Sequence, residues 1–135
     1  MDEQGCSNPA SEIDRRILDR IAGLEKIIPP ELIQRALAMT GKQTQRACTL
    51  SNEVMVRVLL ALGLFTDLPI RMVYKACRRS YRGESTPARS SLCMARQRLG
   101  SEPLAALHGL VVRPLATPET PGAFYRGMRR VAIDG

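Results

Sequence analysis

The chain has 135 residues and carries 20 Lys and Arg against 13 Asp and Glu, which gives a net charge of +7. This length suits one domain, and a hydrophobic content of 44% excludes a wholly disordered chain. The four cysteines are widely spaced and His108 is the only histidine, so we expect no zinc site. The sequence lacks an N-terminal signal-peptide pattern and any apolar run long enough to span a membrane. We therefore expect a cytoplasmic protein with no membrane partner and no small-molecule substrate.

Helical periodicity dominates the first three quarters of the chain. Residues 1–11 are polar and predict a disordered tail. Over residues 12–113, apolar residues recur at helical spacing and predict an all-α domain, a compact bundle of about five or six helices. The second helix is expected to begin after Pro29-Pro30 and to end at Gly41.

The next helices have clear start and stop residues. Ser51 is predicted to cap the third helix, which is apolar on most sides and therefore central and buried. Pro69 precedes the fourth helix, and Thr86 before Pro87 predicts the start of the fifth, which Gly100 ends. The connection between the fourth and fifth helices is short and contains glycine. These two helices are thus predicted to form a helix-turn-helix-like hairpin, and a sixth helix follows.

The composition changes after the sixth helix. Residues 114–125 are rich in proline and threonine, which predicts a linker. Residues 126–135 include the apolar run Val131-Ala132-Ile133, with two β-branched side chains, which predicts a C-terminal β-strand stub. Asp134 follows this run directly, and an Asp-Gly pair taken alone is a common turn signal.

The excess positive charge lies in the fourth and fifth helices. Residues 69–100 contain eight basic residues and one acidic residue, whereas the rest of the chain has 12 of each. On the fourth helix most of the basic residues follow helical spacing. On the fifth helix, arginines flank a face of small and polar side chains. The candidate DNA-binding residues are Arg71, Lys75, Arg78, Arg79, Arg82, Arg89, Arg96, Gln97 and Arg98.

Three interpretations of this surface are open. Small side chains can approach base edges while arginines reach phosphate or guanine, so the surface fits duplex DNA. It is also compatible with the solvated face of an ordinary helical protein, or with a helical dimerisation or protein-interaction domain that has no direct DNA contact. A membrane-surface helix is disfavoured because the apolar stripe contains no Trp or Phe.

Several segments stand in a characteristic order along about residues 20–135. They are IPPELI, SNEVMVRVLLALGLF, STPARSSLCMARQRLG with SEPLAALHGLVVRPLA, and TPGAFYRGMRRVAIDG. Together they resemble the N-terminal region of insertion-element-four-type (IS-four family) DDE transposases. The closing block is the most specific of these segments.

This resemblance implies a bacterial, nucleoid-associated mobile-element protein that acts in DNA transposition. Its helical domain would bind the terminal repeats of an insertion sequence as duplex DNA. The second partner it implies is another copy of the chain, in a homodimer. An RNase H-like catalytic domain would follow, whose first strand corresponds to residues 126–135. Asp134 would be the first acid of the catalytic triad and a ligand of Mg²⁺ or Mn²⁺ in the full-length protein. The other two acids have no counterpart, so we expect this chain alone to be catalytically incomplete and without a cofactor.

Overall fold

A computed structural model of the chain describes residues 9–78 and 85–133, with side chains described from residue 15 onward. Within these ranges the helices are α1 (Pro9–Ile27), α2 (Pro30–Met39), α3 (Asn52–Leu64), α4 (Ile70–Arg78), α5 (Arg89–Leu99) and α6 (Glu102–Val111). An antiparallel hairpin of β1 (Phe124–Tyr125) and β2 (Met128–Arg129) follows. The predicted all-α bundle with a C-terminal β stub is confirmed. None of the helices in the described part is both long and apolar enough to cross a bilayer.

Helix α3 lies at the centre of the bundle, as its sequence predicts. It contacts α1, α2, α4 and α5, while α2 packs along α6. Met55, Val58 and Ala61 of α3 are completely buried. Truncating a core side chain such as Met55 to alanine costs about 2–5 kcal/mol. The central helix therefore holds the basic helices α4 and α5 in place.

The ends of α2 and α3 follow the residues that the sequence indicates. The Ser51 hydroxyl accepts a hydrogen bond from the backbone N–H of Val54 at 3.2 Å and caps α3. At the end of α2, Gly41 has a left-handed φ of +66°. The N–H of Lys42 donates to the carbonyl of Leu37 at 2.9 Å, as in a Schellman motif. Local chemistry alone explains both helix boundaries.

Two helices begin at positions that differ from the prediction. Helix α1 starts at Pro9, so the predicted tail extends too far, and proline is well tolerated in a first helical turn. Helix α5 starts at Arg89 with Ala88 as its N-cap, so the predicted cap at Thr86 is wrong. Ala88 has an extended backbone, with φ −61° and ψ +151°, and the helical ladder begins with the bond from the N–H of Leu92 to its carbonyl at 3.2 Å.

The C-terminal strand does not lie at the predicted position. Residues 131–133 have no regular secondary structure. The two strands lie instead at 124–129 and cross the predicted boundary between linker and strand at residue 125. Arg126 and Gly127 form the turn with φ values of +48° and +76°, the combination found in a type I′ hairpin turn. The hairpin forms because it pairs locally, whereas 131–133 has no neighbouring strand in the described part of the chain.

Candidate nucleic-acid interface

The basic residues of α4 differ in their surroundings. Val73 and Tyr74 are buried in the core, whereas Arg71 and Lys75 are exposed. Arg78 is half-buried: its guanidinium lies 5.7 Å from the centre of the Tyr74 ring, and Nη1 donates to the Tyr74 hydroxyl at 2.7 Å. Arg78 therefore packs against its own helix, while Arg71 and Lys75 project from it.

Arg71 also connects α4 to the beginning of α5. Its Nε donates a hydrogen bond to the backbone oxygen of Pro87 at 3.2 Å. Pro87 lies two positions before Arg89, the exposed first residue of α5. The two helices also contact each other directly. The structure thus places Arg71 near the N-terminal end of α5, where Arg89 begins the helix.

Helix α5 exposes the face that helical geometry assigns to solvent. Leu92, Ala95 and Leu99 are buried against the bundle. The exposed residues opposite them are small or polar, with one methionine that is 69% exposed. They are Ser90, Cys93, Met94 and Gln97. This face is free of bulky branched side chains, so a ligand can approach the helix closely.

The C-terminal end of α5 meets the loop between α2 and α3. The Nη2 of Arg98 donates to the backbone oxygen of Leu50 at 2.9 Å, and the Nζ of Lys42 donates to the backbone oxygen of Arg98 at 3.2 Å. Arg46, in the same loop, is exposed. Lys42 therefore joins the candidate surface, although it was not predicted. The basic loop was visible in the sequence, but its contact with α5 was not.

Arg96 and Gln97 lie beside an open groove between α3, α5 and α6. The lining of this groove includes Leu59, Leu62 and Leu104. An apolar lining suits the side chains of a protein partner better than phosphate groups. Arg96 and Gln97 therefore lie beside the groove, whereas Arg98 lies against the loop between α2 and α3.

The candidates that the structure describes lie in different surroundings. Arg71 and Arg89 belong to one end of α5, Arg98 and Lys42 to the other, and Arg96 to the groove. Three predicted site residues lie outside the described residues, so the structure does not place them: Arg79, Arg82 and Asp134.

The exposed cations of α4 and α5 are not neutralised by carboxylates in the described part of the chain. Arg57 forms the ion pairs there, to Glu25 and to Glu53, each at 3.7 Å. No such pair is formed by Arg71, Lys75, Arg89, Arg96 or Arg98. Their charge is therefore available to a polyanion.

The divalent-metal site implied by the family resemblance is not formed by the described residues. No group of three or more His, Cys, Asp and Glu side chains able to hold a metal ion occurs in 9–78 or 85–133. Oxygen ligands from several carboxylates are what Mg²⁺ or Mn²⁺ requires.

The described fold is a helical bundle in which the two basic helices α4 and α5 contact each other. Residues 18–109 match the family described as "Insertion element 4 transposase N-terminal", and the chain belongs to this family. The chain is also similar to the transposase InsG for insertion sequence element IS4 of Escherichia coli (strain K12), with 31% identity over 116 residues. That match covers 85% of this chain and 26% of InsG, so the chain spans about a quarter of this curated relative. No solved structure matches the chain.

Proposed function

We propose that this domain binds duplex DNA through α4 and α5 and recognises the terminal repeats of an insertion sequence. The observation that carries the proposal is the unneutralised charge of the exposed residues Arg71, Lys75, Arg89 and Arg98. Membership in a transposase family supports DNA as the polyanion. Arg71 and Lys75 contact phosphates, and the exposed face of α5 faces a groove of the duplex.

The salt dependence of DNA affinity tests this proposal. Each phosphate neutralised contributes a slope of about −0.9 to log K against log salt concentration. Replacing both Arg71 and Lys75 with alanine should therefore flatten the slope by ~1.8 if each contacts one phosphate. The affinity of a labelled duplex can be measured by fluorescence anisotropy across a salt series.

A charge-matched variant provides the control. Lys26 on α1 and Arg35 on α2 are also exposed, and replacing both with alanine changes the net charge by the same amount. This control should keep the wild-type slope because neither residue belongs to the proposed surface. Equal slopes for wild type and the Arg71→Ala, Lys75→Ala variant would exclude these two residues from the interface.

The groove between α3, α5 and α6 favours a second candidate function, a protein-interaction or dimerisation domain. Its apolar residues lie between three helices and are open to solvent. A homodimer that does not retain DNA at physiological salt would support this function over DNA binding. Light scattering after size-exclusion chromatography, combined with the anisotropy measurement, distinguishes the two.

A substitution at Gly63 tests the groove without disturbing the core. Gly63 lines the groove, and a Cβ at this position meets nothing within 4 Å. Gly63→Gln should fill the groove and dissociate a dimer that uses it. Gly109 has equally open surroundings but does not line the groove, so Gly109→Gln is the matched control.

For the enzymatic reaction, we propose that Asp134 is the first acid of the triad in a longer transposase. One carboxylate does not hold the two ions of a two-metal site, so two further acids are required. In that longer protein, Asp134 would provide one oxygen-donor group to Mg²⁺ or Mn²⁺. Reading the DNA downstream of the codon for Gly135 tests this: a continuation supplying two more acids is expected, and one without them would contradict the proposal.

A further inference from the structure

The C-terminal hairpin has one face held against the chain and one face open. Phe124 pairs with Arg129, and Tyr125 pairs with Met128. Cross-strand partners share a face of a hairpin, so these pairs lie on opposite sides. The Arg129 guanidinium lies 5.3 Å from the centre of the Phe124 ring, and its Nη2 donates to the backbone oxygen of Ala116 at 2.9 Å. This inner face fixes the hairpin to the preceding segment.

The outer face is exposed and cationic. Tyr125 and Met128 are 60% and 66% exposed. Arg130 is two residues beyond Met128 and so shares its face, while its backbone N–H donates to the carbonyl of Ala123 at 2.9 Å. A shallow groove beside this face is lined by Tyr125, Met128 and Arg130, and also by Arg129, whose guanidinium is held at the inner face. Residues 123–133 contain three arginines and no acidic residue, so nothing within this segment neutralises the face.

The tip of the hairpin carries an arginine where another residue type is favoured. Type I′ turns prefer Asn, Asp or Gly at the first central position because its φ is positive. Here Arg126 occupies that position with φ +48°, and its guanidinium lies 5.4 Å from the centre of the Tyr125 ring. Strained backbone positions of this kind cluster at functional sites. The turn thus places an exposed guanidinium beside the Tyr125 ring, on the outer face of the hairpin.

We propose that the outer face of this hairpin is a second DNA-binding site, which takes the phosphodiester backbone of duplex DNA through Arg126 and Arg130. One guanidinium group can donate hydrogen bonds to two oxygens of the same phosphate. A two-stranded β-ribbon is also narrow enough to enter the major groove of DNA. The site shares no residue with α4 or α5. It rests on the proposed function for the choice of DNA as ligand.

Chain geometry connects this site to the proposed first catalytic acid. Only three residues lie between Arg130 and Asp134, and the four chain steps that join their Cα atoms span at most about 14 Å when fully extended. Arg130 and Asp134 therefore belong to the same region of the protein, whichever way the intervening chain runs. The hairpin accordingly holds the DNA strand near the reaction centre, whereas the helices recognise the sequence of the element end.

A double substitution that preserves the turn tests the hairpin in the intact chain. Arg126→Asn supplies a residue that the turn favours, and Arg130→Gln leaves the backbone hydrogen bond to Ala123 in place. Thermal unfolding followed by circular dichroism should show an unchanged or higher midpoint for this variant. The slope of log K against log salt for a labelled duplex should flatten by ~1.8, which corresponds to two lost phosphate contacts.

Parallel variants separate this inference from the proposed function. The Lys26→Ala, Arg35→Ala chain serves again as the charge-matched control and should keep the wild-type slope. A flattened slope in the hairpin variant supports the second site, whatever the Arg71→Ala, Lys75→Ala variant shows. An unchanged slope in the Arg71→Ala, Lys75→Ala variant would refute only the helical interface. A wild-type slope in the hairpin variant overturns the inference while leaving the helical interface intact. Failure of the wild-type chain to bind duplex DNA would overturn both.

Discussion

The Nζ of Lys42 donates a hydrogen bond to the backbone oxygen of Arg98 at 3.2 Å, across 56 positions of the sequence. Arg98 in turn donates from its guanidinium to the backbone oxygen of Leu50. The end of α5 and the loop between α2 and α3 therefore form one unit. A cation near the C-terminus of a helix is also favoured by the helix dipole. The positive surface thus includes a loop that precedes the basic helices by many residues.

Arg98→Ala should weaken DNA binding without unfolding the domain. Losing one phosphate contact flattens the slope of log K against log salt by ~0.9. Because Arg98 is exposed, its replacement should change the free energy of unfolding by only about 0.5 kcal/mol. Anisotropy and urea unfolding measure the two quantities. A wild-type slope for Arg98→Ala, as expected for the control Arg35→Ala, would exclude Arg98 from the interface.

Asn52→Ala should destabilise the domain by about 1–3 kcal/mol. Asn52 is buried, and its Nδ2 donates to the carbonyl of Lys42 at 2.7 Å, while its backbone N–H donates to the Thr44 hydroxyl at 2.8 Å. Alanine removes the side-chain bond and leaves the Lys42 carbonyl without this donor. Urea unfolding monitored by circular dichroism gives the change in free energy.

The control for Asn52 is Gln34→Ala. Gln34 makes an exposed hydrogen bond of 3.4 Å to Glu53, and its loss should cost less than about 0.5 kcal/mol. Asn52→Asp should lower the free energy of unfolding more than Asn52→Ala does. The reason is that a carboxylate would face the Lys42 carbonyl, which in the wild type accepts a hydrogen bond from Asn52. Equal stability of Asn52→Ala and the wild type would show that this side chain does not hold the loop.

Stability should fall as the pH rises from 9 to 11 because of Cys77. Burial raises the pKa of its thiol from 9.0 to about 11; the nearby Glu25 carboxylate also raises it, and Arg57 lowers it. In this window the unfolded chain loses the thiol proton while the folded chain keeps it. The free energy of unfolding should therefore drop by about 2–3 kcal/mol over the window.

Cys77→Ala isolates this effect from other groups that titrate at high pH. The difference in unfolding free energy between wild type and Cys77→Ala should shrink as the pH rises from 9 to 11, and parallel pH curves would refute the effect. Thiol labelling followed by mass spectrometry gives a second measurement. The exposed Cys48 and Cys93 should react in the folded protein, whereas Cys77 should react only after unfolding.

Helix positions were predictable from the sequence wherever local chemistry decides them. Ser51 and Gly41 were identified correctly because a cap and a left-handed glycine act within a few residues of a helix end. Thr86 was a wrong cap because the backbone is still extended at Ala88, with ψ +151°, and the helix begins only at Arg89. The strand expected at 131–133 does not form because, in the described part of the chain, no strand lies beside it, whereas the Arg126-Gly127 turn pairs its own neighbours.

By itself, the sequence determined the helical architecture, the concentration of charge in α4 and α5, and the family resemblance. These properties depend on the spacing and the order of residues along short stretches of the chain. Only the tertiary structure decided what the cations lie against: it placed Arg96 beside the groove and brought Lys42 to Arg98. The reason is that the packing of α3 against α5, and of the loop against both, brings together residues dozens of positions apart. Such contacts leave no periodic pattern in the sequence.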